Sequence, residues 1–379
     1  MSRHQSPSIV KKKETEYLKT SHKEIISMKI GILTFHWATN YGAVLQCYAL
    51  QSYLEAMGHD VKVINYKPRQ YDDNLYTFLR FRKFLNLGEY FNNRKKESVL
   101  REFRCEHLNQ TERVYNCKDI ALLALQFDAI ISGSDQVCNP SFLMSGEGCG
   151  VVSPAYFLGF PFDGKRIGYA LSFGCVEYPD IARGVAAKFI KDFDVITVRE
   201  KTGVEIVKSI GRGDAIVVPD PTLLMEPQFY HQLANGCKTS ESESYIYSFF
   251  IRHIADRKLL ISNVLKGKCI LWNNEDDDYT MQGWLSKIKH AEFVVTDSFH
   301  CVVMCLKLHK PFVVVTEKEG NVGMNDRLYT LLYNIEMLNH IVYKEHASQI
   351  IALLDKTTDW TMIDNDIIER TKSIVEILK

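Results

Sequence analysis

The chain has 379 residues, 46% hydrophobic and 24% charged, enough to bury one large core or two ordinary ones. Its 46 Lys and Arg residues balance 46 Asp and Glu residues, so the net charge gives no indication of nucleic-acid binding. We expect a cytoplasmic protein, because the sequence lacks an apolar run near the roughly 20 residues of a membrane span, lacks a secretory signal pattern, and scatters its ten cysteines without a framework or a zinc-like spacing.

The first 27 residues are polar, and we expect residues 1–27 to form a poorly ordered extension. From Met28 the pattern changes to strand, loop, helix and strand, in the order "KIGILTF", "HWATNYG", "AVLQCYALQSYLEAMG" and "VKVINY". This βαβ pattern predicts a parallel sheet. The loop contains Asn40 near the carboxyl end of the first strand, where open α/β sheets bind ligands.

Residues 71–127 are less regular and contain two basic segments, "FLRFRKF" and "NNRKKESVLREFRC". Together the segments hold eight basic residues and two acidic ones, namely Arg80, Arg82, Lys83, Arg94, Lys95, Lys96, Arg101 and Arg104 with Glu97 and Glu102. A solvated face of a surface helix is the commoner explanation of such a pattern. The alternative is a surface that meets an anionic lipid headgroup or a lipid-linked substrate, which implies peripheral contact with a membrane.

Strand patterns return at "FDAIISGS", "RIGYALSFG", "DVITVRE" and "AIVVPDPT". A polar, turn-rich stretch follows them, and a second series of strand and helix patterns comes after it. We therefore predict an α/β fold of two Rossmann-like domains that face each other across a cleft. The predicted boundaries are 1–27 for the extension, 28–228 for the N-terminal domain, 229–244 for the linker, 245–345 for the C-terminal domain and 346–379 for a helical segment.

Two strand ends of the first domain carry polar side chains. The segment "IISGSDQVCNP" places Asp135 and Gln136 after a buried strand, where a carboxylate and an amide either line a sugar-binding cleft or cap a turn. The segment "ITVREKTGVEI" places Arg199 at the end of another strand. An arginine there either holds a carboxylate or a phosphate with its two-pronged guanidinium or pairs with Glu200 on the surface. The residues alone leave both alternatives open.

The stretch "FVVTDSFHCVVMCLKLHKPFVVV", residues 293–315, combines several signals. Two buried strand patterns bracket a short helix, and the first strand ends in Asp297, Ser298 and His300. Asp297 and Ser298 are suited to cap the helix, whose first N–H groups form an anion site. A lone histidine is more often a core residue, but a strand end beside an anion site favours a functional role for His300.

The ordered set of motifs resembles the polysaccharide pyruvyl transferase family from about Met28 to about Leu338. The motifs are "TFHWATNYGAVLQCYAL", "FDAIISGSDQVCNP", "YALSFG", "VREKTGVEIV", "VVPDPTLL" and the 293–315 stretch. The resemblance implies a two-domain fold like that of GT-B glycosyltransferases. It also implies a cytoplasmic enzyme of cell-surface polysaccharide assembly, in capsule or exopolysaccharide synthesis, that transfers pyruvate from phosphoenolpyruvate to a sugar as a ketal.

The resemblance implies a role for each site residue. His300 matches the functional histidine of the family and is the expected general acid, which protonates C3 of phosphoenolpyruvate. Arg199 matches an arginine implicated in donor binding, and the helix start at Asp297 and Ser298 is the second expected donor contact. Asn40, Asp135 and Gln136 are expected to lie near the acceptor, which would be a sugar, a glycan or a lipid-linked oligosaccharide. The reaction demands neither a metal ion nor a redox cofactor.

Three positions depart from the family pattern. Some members have arginine where this chain has Ser298, many have glycine where it has Cys301, and tryptophan is common where it has Cys138. The first departure leaves open how the donor's negative charge is neutralised. Two other functions therefore remain: a GT-B glycosyltransferase that uses a nucleotide sugar, and a non-catalytic sugar-binding relative.

Overall fold

The computed structural model describes residues 26–72, 87–144, 152–235, 244–252, 254–273, 278–317 and 322–372. Residues 1–25 of the predicted extension lie outside the described residues, as do Arg80, Arg82 and Lys83 of the first basic segment.

The N-terminal half forms a parallel sheet of six strands in the order β2-β1-β3-β4-β5-β6. The strands are β1 (Lys29–Leu33), β2 (Asp60–Val63), β3 (Ala129–Ser132), β4 (Lys165–Leu171), β5 (Val195–Val198) and β6 (Ile216–Val217). Within its described residues, the helices of this half are α1 (Tyr41–Ala56), α2 (Leu87–His107), α3 (Cys117–Ala124), α4 (Pro140–Leu143), α5 (Asp180–Phe189), α6 (Lys201–Ser209) and α7 (Pro227–Ala234). The strand order reverses between β1 and β3, which makes that crevice the topological switch point.

The C-terminal half forms a second parallel sheet, of five strands in the order β11-β10-β9-β7-β8. Its strands are β7 (Ile246–Phe249), β8 (Ile270–Trp272), β9 (Phe293–Thr296), β10 (Phe312–Thr316) and β11 (Ile341–Tyr343). Its helices are α8 (Ile254–Val264), α9 (Met281–His290), α10 (Phe299–Lys307), α11 (Val322–Asn334), α12 (Ile350–Leu354) and α13 (Trp360–Lys372). The switch point of this sheet lies between β7 and β9.

Helix α1 shows how the sequence sets a local boundary at the candidate site. The Asn40 side-chain oxygen accepts hydrogen bonds from the backbone N–H groups of Gly42 and Ala43, at 2.9 and 3.3 Å, and so caps the helix start. Gly58 follows the helix at a φ of +96°, a left-handed conformation that glycine adopts without steric strain. Helix α1 therefore begins at the carboxyl end of β1.

The two halves share part of their apolar core. A single cluster of buried apolar side chains joins α1 of the first half to α9 and α10 of the second. The rings of Tyr41 and Trp284 stack across the junction, with centroids 5.0 Å apart and planes 4° from parallel. Thr202 also donates a hydrogen bond from its hydroxyl to Asp326, at 2.8 Å. These contacts bring the switch points of the two sheets together, as in the predicted GT-B-like arrangement of two Rossmann-like domains.

The predicted linker at 229–244 differs from the structure in its first part. Helix α7 occupies this part, with Pro227 in its first turn and Phe229 and Tyr230 buried against the core. Tyr230 donates a hydrogen bond to the carbonyl of Thr222 at 2.7 Å. Phe229 and Tyr230 therefore fix this stretch to the core, although the polar residues around it had led us to predict a linker. The remaining domain boundaries stay predictions.

Among the described residues, no helix is both long and apolar enough to cross a bilayer.

Candidate active site

Two pairs of loops meet where the sheets face each other. The loops that follow β1 and β3 come from the switch point of the first sheet, and those that follow β7 and β9 come from that of the second. Every residue that the sequence singled out as functional lies in these loops or directly beside them, except Arg199, which follows β5. The chain thus places its candidate site across the domain junction.

His300 lies in the first turn of α10 and is 7% exposed. The helix start is held by Ser298, whose hydroxyl accepts a hydrogen bond from the N–H of Cys301 at 3.4 Å. The imidazole ring lies close to Gly42 in α1, where a β-carbon would overlap it. Its Nε2 atom has no hydrogen-bond partner among the described residues. The ring is therefore held between the two domains, and its Nε2 atom faces a carboxylate 3.7 Å away.

Asp220 is the carboxylate that faces His300, with Oδ2 lying 3.7 Å from Nε2. The same Oδ2 accepts hydrogen bonds from Ser134 Oγ at 2.9 Å and from Arg199 Nη1 at 2.8 Å, while Thr222 binds the other oxygen. Burial raises the pKa of Asp220, but the neighbouring His300 ring, the charge of Arg199 and the Thr222 hydrogen bonds lower it further, so its pKa lies well below the usual range. Asp220 is therefore a fixed negative charge beside the imidazole.

Arg199 is buried between the acidic residues and the ring of Phe299. Besides binding Asp220, it lies 3.5 Å from the carboxylate of Asp135, and its guanidinium sits 4.8 Å from the Phe299 ring centroid. Burial lowers the pKa of Arg199, but the charges of Asp220, Asp135 and Glu200 outweigh it and raise that pKa. Its Nε and Nη2 atoms have no hydrogen-bond partner among the described residues. Arg199 thus keeps donor groups that a bound anion would satisfy.

Arg327 is a second buried arginine, which the sequence analysis did not single out. It lies on α11, and its guanidinium is 5.6 Å from the Phe299 ring centroid. Burial and the charge of Arg199 lower the pKa of Arg327 to about 10, so it remains a cation near neutral pH. Its Nε has no partner within the described part of the chain. Arg327 is also near enough to Arg252 for their charges to interact.

The amide of Gln136 lies between two donors. Asn139 Nδ2 is 2.6 Å from one end of the amide, and Arg327 Nη1 is 2.7 Å from the other. Because Gln136 has a single amide oxygen, it can accept from only one of them in a given orientation. The side chain that we predicted near the acceptor thus contacts Arg327.

Asp297 does not cap α10, and this part of the prediction is wrong. Its carboxylate turns to the loop after β7, where it accepts hydrogen bonds from the N–H groups of Ile251 and Arg252, at 2.8 and 3.2 Å. Arg252 in turn donates to the carbonyl oxygen of Asp297 and to Asn325. Burial raises the pKa of Asp297, and these N–H groups offset part of that rise. Asp297 therefore ties together the two loops at the switch point of the second sheet, while Ser298 alone caps the helix.

Asn40 and Asp135 border the same region from the N-terminal domain. Asn40 is exposed, and its oxygen is committed to the cap of α1. Asp135 adopts a φ of +72°, which turns its side chain toward Arg199. Their roles toward an acceptor stay predictions.

The model of the family described as polysaccharide pyruvyl transferase matches residues 40–319 of the chain. The matched region includes Arg199, Asp220 and His300 and ends before Arg327. A search of curated proteins gave no match.

Several solved structures resemble the chain. The UDP-GlcNAc 2-epimerase of Methanocaldococcus jannaschii, in complex with UDP-GlcNAc and UDP, is 13% identical, with 93% of this chain and 99% of that chain covered and a TM-score of 0.48. The UDP-N-acetylglucosamine 2-epimerase of Rickettsia bellii is 10% identical, with 93% and 96% covered and a TM-score of 0.49. The glycosyltransferase SnogD of Streptomyces nogalater is 11% identical, with 93% and 100% covered and a TM-score of 0.42.

Proposed function

The chain belongs to the polysaccharide pyruvyl transferase family, and from this premise we propose that it transfers the enolpyruvyl group of phosphoenolpyruvate onto two hydroxyls of a sugar as a ketal. The observation that carries the proposal is that His300 lies 3.7 Å from Asp220, which also binds the buried Arg199. Arg199 and Arg327 both approach the ring of Phe299, and both have donor atoms without a hydrogen-bond partner among the described residues. A proton donor beside a cationic pocket is what an anionic enol ester requires.

The arginines support the proposed binding of the donor. Phosphoenolpyruvate carries a phosphate and a carboxylate, so its site needs several fixed donors and positive charges. Arg199 and Arg327 lie on the two sides of the domain junction and both approach the ring of Phe299. We assign them to the donor's anionic groups, together with the first N–H groups of α10 behind the Ser298 cap. Asp297 would act on the donor only by holding Arg252 and the β7 loop.

His300 supports the proposed chemistry. In the first step, a proton passes from Nε2 of His300 to C3 of phosphoenolpyruvate, so that C2 becomes electrophilic and one sugar hydroxyl adds to it. In the second step, the bond from C2 to the phosphate oxygen breaks, and a second hydroxyl attacks C2 to close the ketal. The proton of the first hydroxyl returns to His300 and replaces the one given to C3. The proton of the second hydroxyl leaves with the released phosphate, so the reaction balances. Asp220, a fixed negative charge near that nitrogen, would stabilise the positive charge of the imidazolium before the proton is transferred.

Arg327 offers a positive charge in place of the arginine that some family members have where this chain has Ser298. Where some family members place an arginine two residues before the histidine, this chain has a serine that caps the helix. The guanidinium of Arg327 reaches the same aromatic ring as Arg199, but from a helix of the other domain. It would supply from α11 the positive charge that Ser298 lacks.

The test is a phosphate-release assay with purified protein, phosphoenolpyruvate and a panel of sugars. The proposal predicts phosphate release only when a suitable sugar is present, with a product heavier by one pyruvyl group. Sugar binding with no release across the panel would contradict it and favour a non-catalytic relative. Transfer from a nucleotide sugar would instead indicate a glycosyltransferase.

A further inference from the structure

A cavity lies at the domain junction, beside the candidate active site. It has a volume of about 190 Å³ and is bordered by strand β6 of the first domain and by helices α11 and α13 of the second. Apolar side chains form much of its lining, among them Val217, Leu331 and Ile367. A space of this volume holds several water molecules or one small organic anion. Four residues of the candidate active site also line the cavity: Arg199, Asp220, Phe299 and Arg327.

The ring of Phe299 contacts both arginines of this cavity. Phe299 is the first residue of α10, directly after the Ser298 cap, and it is 3% exposed. The guanidinium of Arg199 lies 4.8 Å from the ring centroid, and that of Arg327 lies 5.6 Å from it. Both distances are within the roughly 6 Å at which the negative face of an aromatic ring attracts a cation. One side chain of the second domain therefore contacts a cation of each domain.

Arg327 depends strongly on its contact with the ring. It is buried, and it forms no ion pair within the part of the chain that the structure describes. Burial and the charge of Arg199 lower the pKa of Arg327, while the carboxylates of Asp135 and Glu200 raise it from beyond ion-pair distance. A buried cation without a close carboxylate is unfavourable. The electron-rich face of Phe299 offsets part of that cost.

Arg199 is held by carboxylates on one side only. Its Nη1 donates to Asp220 at 2.8 Å, and its Nη2 lies 3.5 Å from Asp135. The Nε atoms of Arg199 and Arg327 have no hydrogen-bond partner among the described residues. Buried donors are normally paired, and one bound anion that accepts from both arginines would pair them. Such sharing requires the two guanidinium groups to be held close together against their mutual repulsion.

We propose that Phe299 is a positioning residue, whose ring holds the guanidinium groups of Arg199 and Arg327 where both can bind one anion in the cavity. The anion is the phosphate or the carboxylate of the donor, so this assignment rests on the proposed function. The ring acts through its charge distribution as well as through its size, because it attracts two cations that repel each other.

Phe299 also connects the anion site to the proposed proton donor. Its ring meets the ring of His300 edge to face, with centroids 5.2 Å apart and planes 86° from parallel. The Ser298 cap fixes the start of the helix that carries both rings. The same short segment therefore places the histidine and the two arginines relative to one another.

Fluorination of the Phe299 ring tests its role with little change in packing. A trifluorinated phenylalanine at this position keeps the shape of the side chain but withdraws electron density from the ring face, so that its attraction for cations falls. Phe299→Leu removes the ring face altogether. Calorimetry measures the binding of phosphoenolpyruvate and of inorganic phosphate. We expect the dissociation constants to rise about threefold in the fluorinated protein and about tenfold in Phe299→Leu.

The matched controls are the same two changes at Phe312. This residue lies in β10, where its buried ring packs against His340 in the apolar core, with centroids 5.1 Å apart. Both control proteins should bind the two anions with wild-type affinity, although Phe312→Leu should be less stable. The fluorinated protein keeps the proposal testable even when Phe299→Leu does not fold.

Wild-type anion affinity in the fluorinated Phe299 protein would overturn the proposal, because it would show that the ring acts through its shape alone. An absence of anion binding by the wild type would also overturn it. Weaker binding by both Phe299 proteins, with unchanged binding by the Phe312 controls, supports it. A wild type that binds both anions but releases no phosphate with any sugar would reject the proposed function and leave the role of Phe299 in anion binding standing.

Discussion

Gly42 of the first domain lies directly against His300 of the second. A β-carbon built on Gly42 would fall 2.0 Å from Nδ1 of the histidine and 2.3 Å from its Cγ. The imidazole ring therefore occupies the space that any other residue at position 42 would need. The orientation of the proposed proton donor depends on a helix of the opposite domain.

Replacing Gly42 with alanine tests this contact. We expect Gly42→Ala to displace the His300 ring and to lower kcat by about 100-fold, because a shift of about 1 Å in a catalytic group costs that much. Binding of phosphoenolpyruvate should change less. The measurement is steady-state kinetics of phosphate release.

The matched control is Gly184→Ala, in helix α5, where an added β-carbon meets nothing within 4 Å. Because alanine favours helix more than glycine does, this variant should gain up to about 1 kcal/mol of stability and keep its activity. A Gly42→Ala enzyme with wild-type kcat would show that the contact does not position the ring.

Arg327→Gln should weaken the binding of phosphoenolpyruvate. A hydrogen bond to a charged group contributes about 1.5–3 kcal/mol, so the dissociation constant should rise by about 10- to 100-fold. Arg327→Lys keeps the charge but loses the two-pronged guanidinium. Its affinity for phosphoenolpyruvate should lie between those of the wild type and Arg327→Gln. Calorimetry with phosphoenolpyruvate gives all three values.

Arg183→Gln is the control for this series, because Arg183 lies on α5 and donates a hydrogen bond to Ser209 of α6. Its dissociation constant should equal that of the wild type. Unchanged binding by Arg327→Gln would remove this arginine from the donor site.

Ser298→Ala should destabilise the start of α10. Loss of an N-cap side chain costs about 0.5–2 kcal/mol, and the 3.4 Å bond to Cys301 N–H suggests a value toward the lower end. Urea unfolding would measure the difference in the free energy of unfolding. The exposed Ser348, which caps no helix, supplies the control Ser348→Ala, and an equal effect of both variants would contradict the assigned cap.

His36 should make the protein less stable in mild acid. Its pKa is about 4 in the folded protein because of burial, against an unfolded value of about 6.5. Above the unfolded value the imidazole is neutral in both states, and stability is unaffected. As the pH falls from the unfolded to the folded value, only the unfolded chain takes up the proton, and stability falls by about 3 kcal/mol in total.

A comparison with His36→Gln isolates this effect. Other titrating groups cancel in the difference between the two proteins, so the free energy of unfolding of the wild type should drop relative to the variant between about pH 6.5 and about pH 4. Urea unfolding at several pH values gives both curves. Parallel curves would show that His36 does not titrate as its burial requires.

The fold was largely predictable from the sequence, because the central strands β3, β9 and β10 are short apolar runs that end at turn or polar residues. Helix α1 also ended where Gly58 indicated. The edge strand Ile341–Tyr343 was missed, since three residues give no periodic pattern. The stretch predicted as a linker contains a helix whose buried residues are Phe229, Tyr230 and Ala234, too few to give a clear helical pattern.

The site was predictable only in part. His300 and Arg199 were found because each follows a strand, and the sheet edge brings such positions together. Arg327 comes from the interior of a helix, where its one signal was a charged residue among apolar ones on the buried face of α11. The direction in which Asp297 turns depends on the N–H groups of the β7 loop, 45 and 46 residues earlier in the chain. Spacing within the sequence does not reveal such a pairing.

The central claim is that His300 donates the proton that activates phosphoenolpyruvate, and phosphate release by His300→Gln tests it most directly. The control is His309→Gln, which alters a half-exposed histidine paired with Asp364 at 2.9 Å. We predict that His300→Gln loses about 100- to 10,000-fold in kcat while its circular dichroism spectrum and its affinity for phosphoenolpyruvate are retained, and that the control keeps full activity. Wild-type phosphate release by folded His300→Gln would contradict the claim.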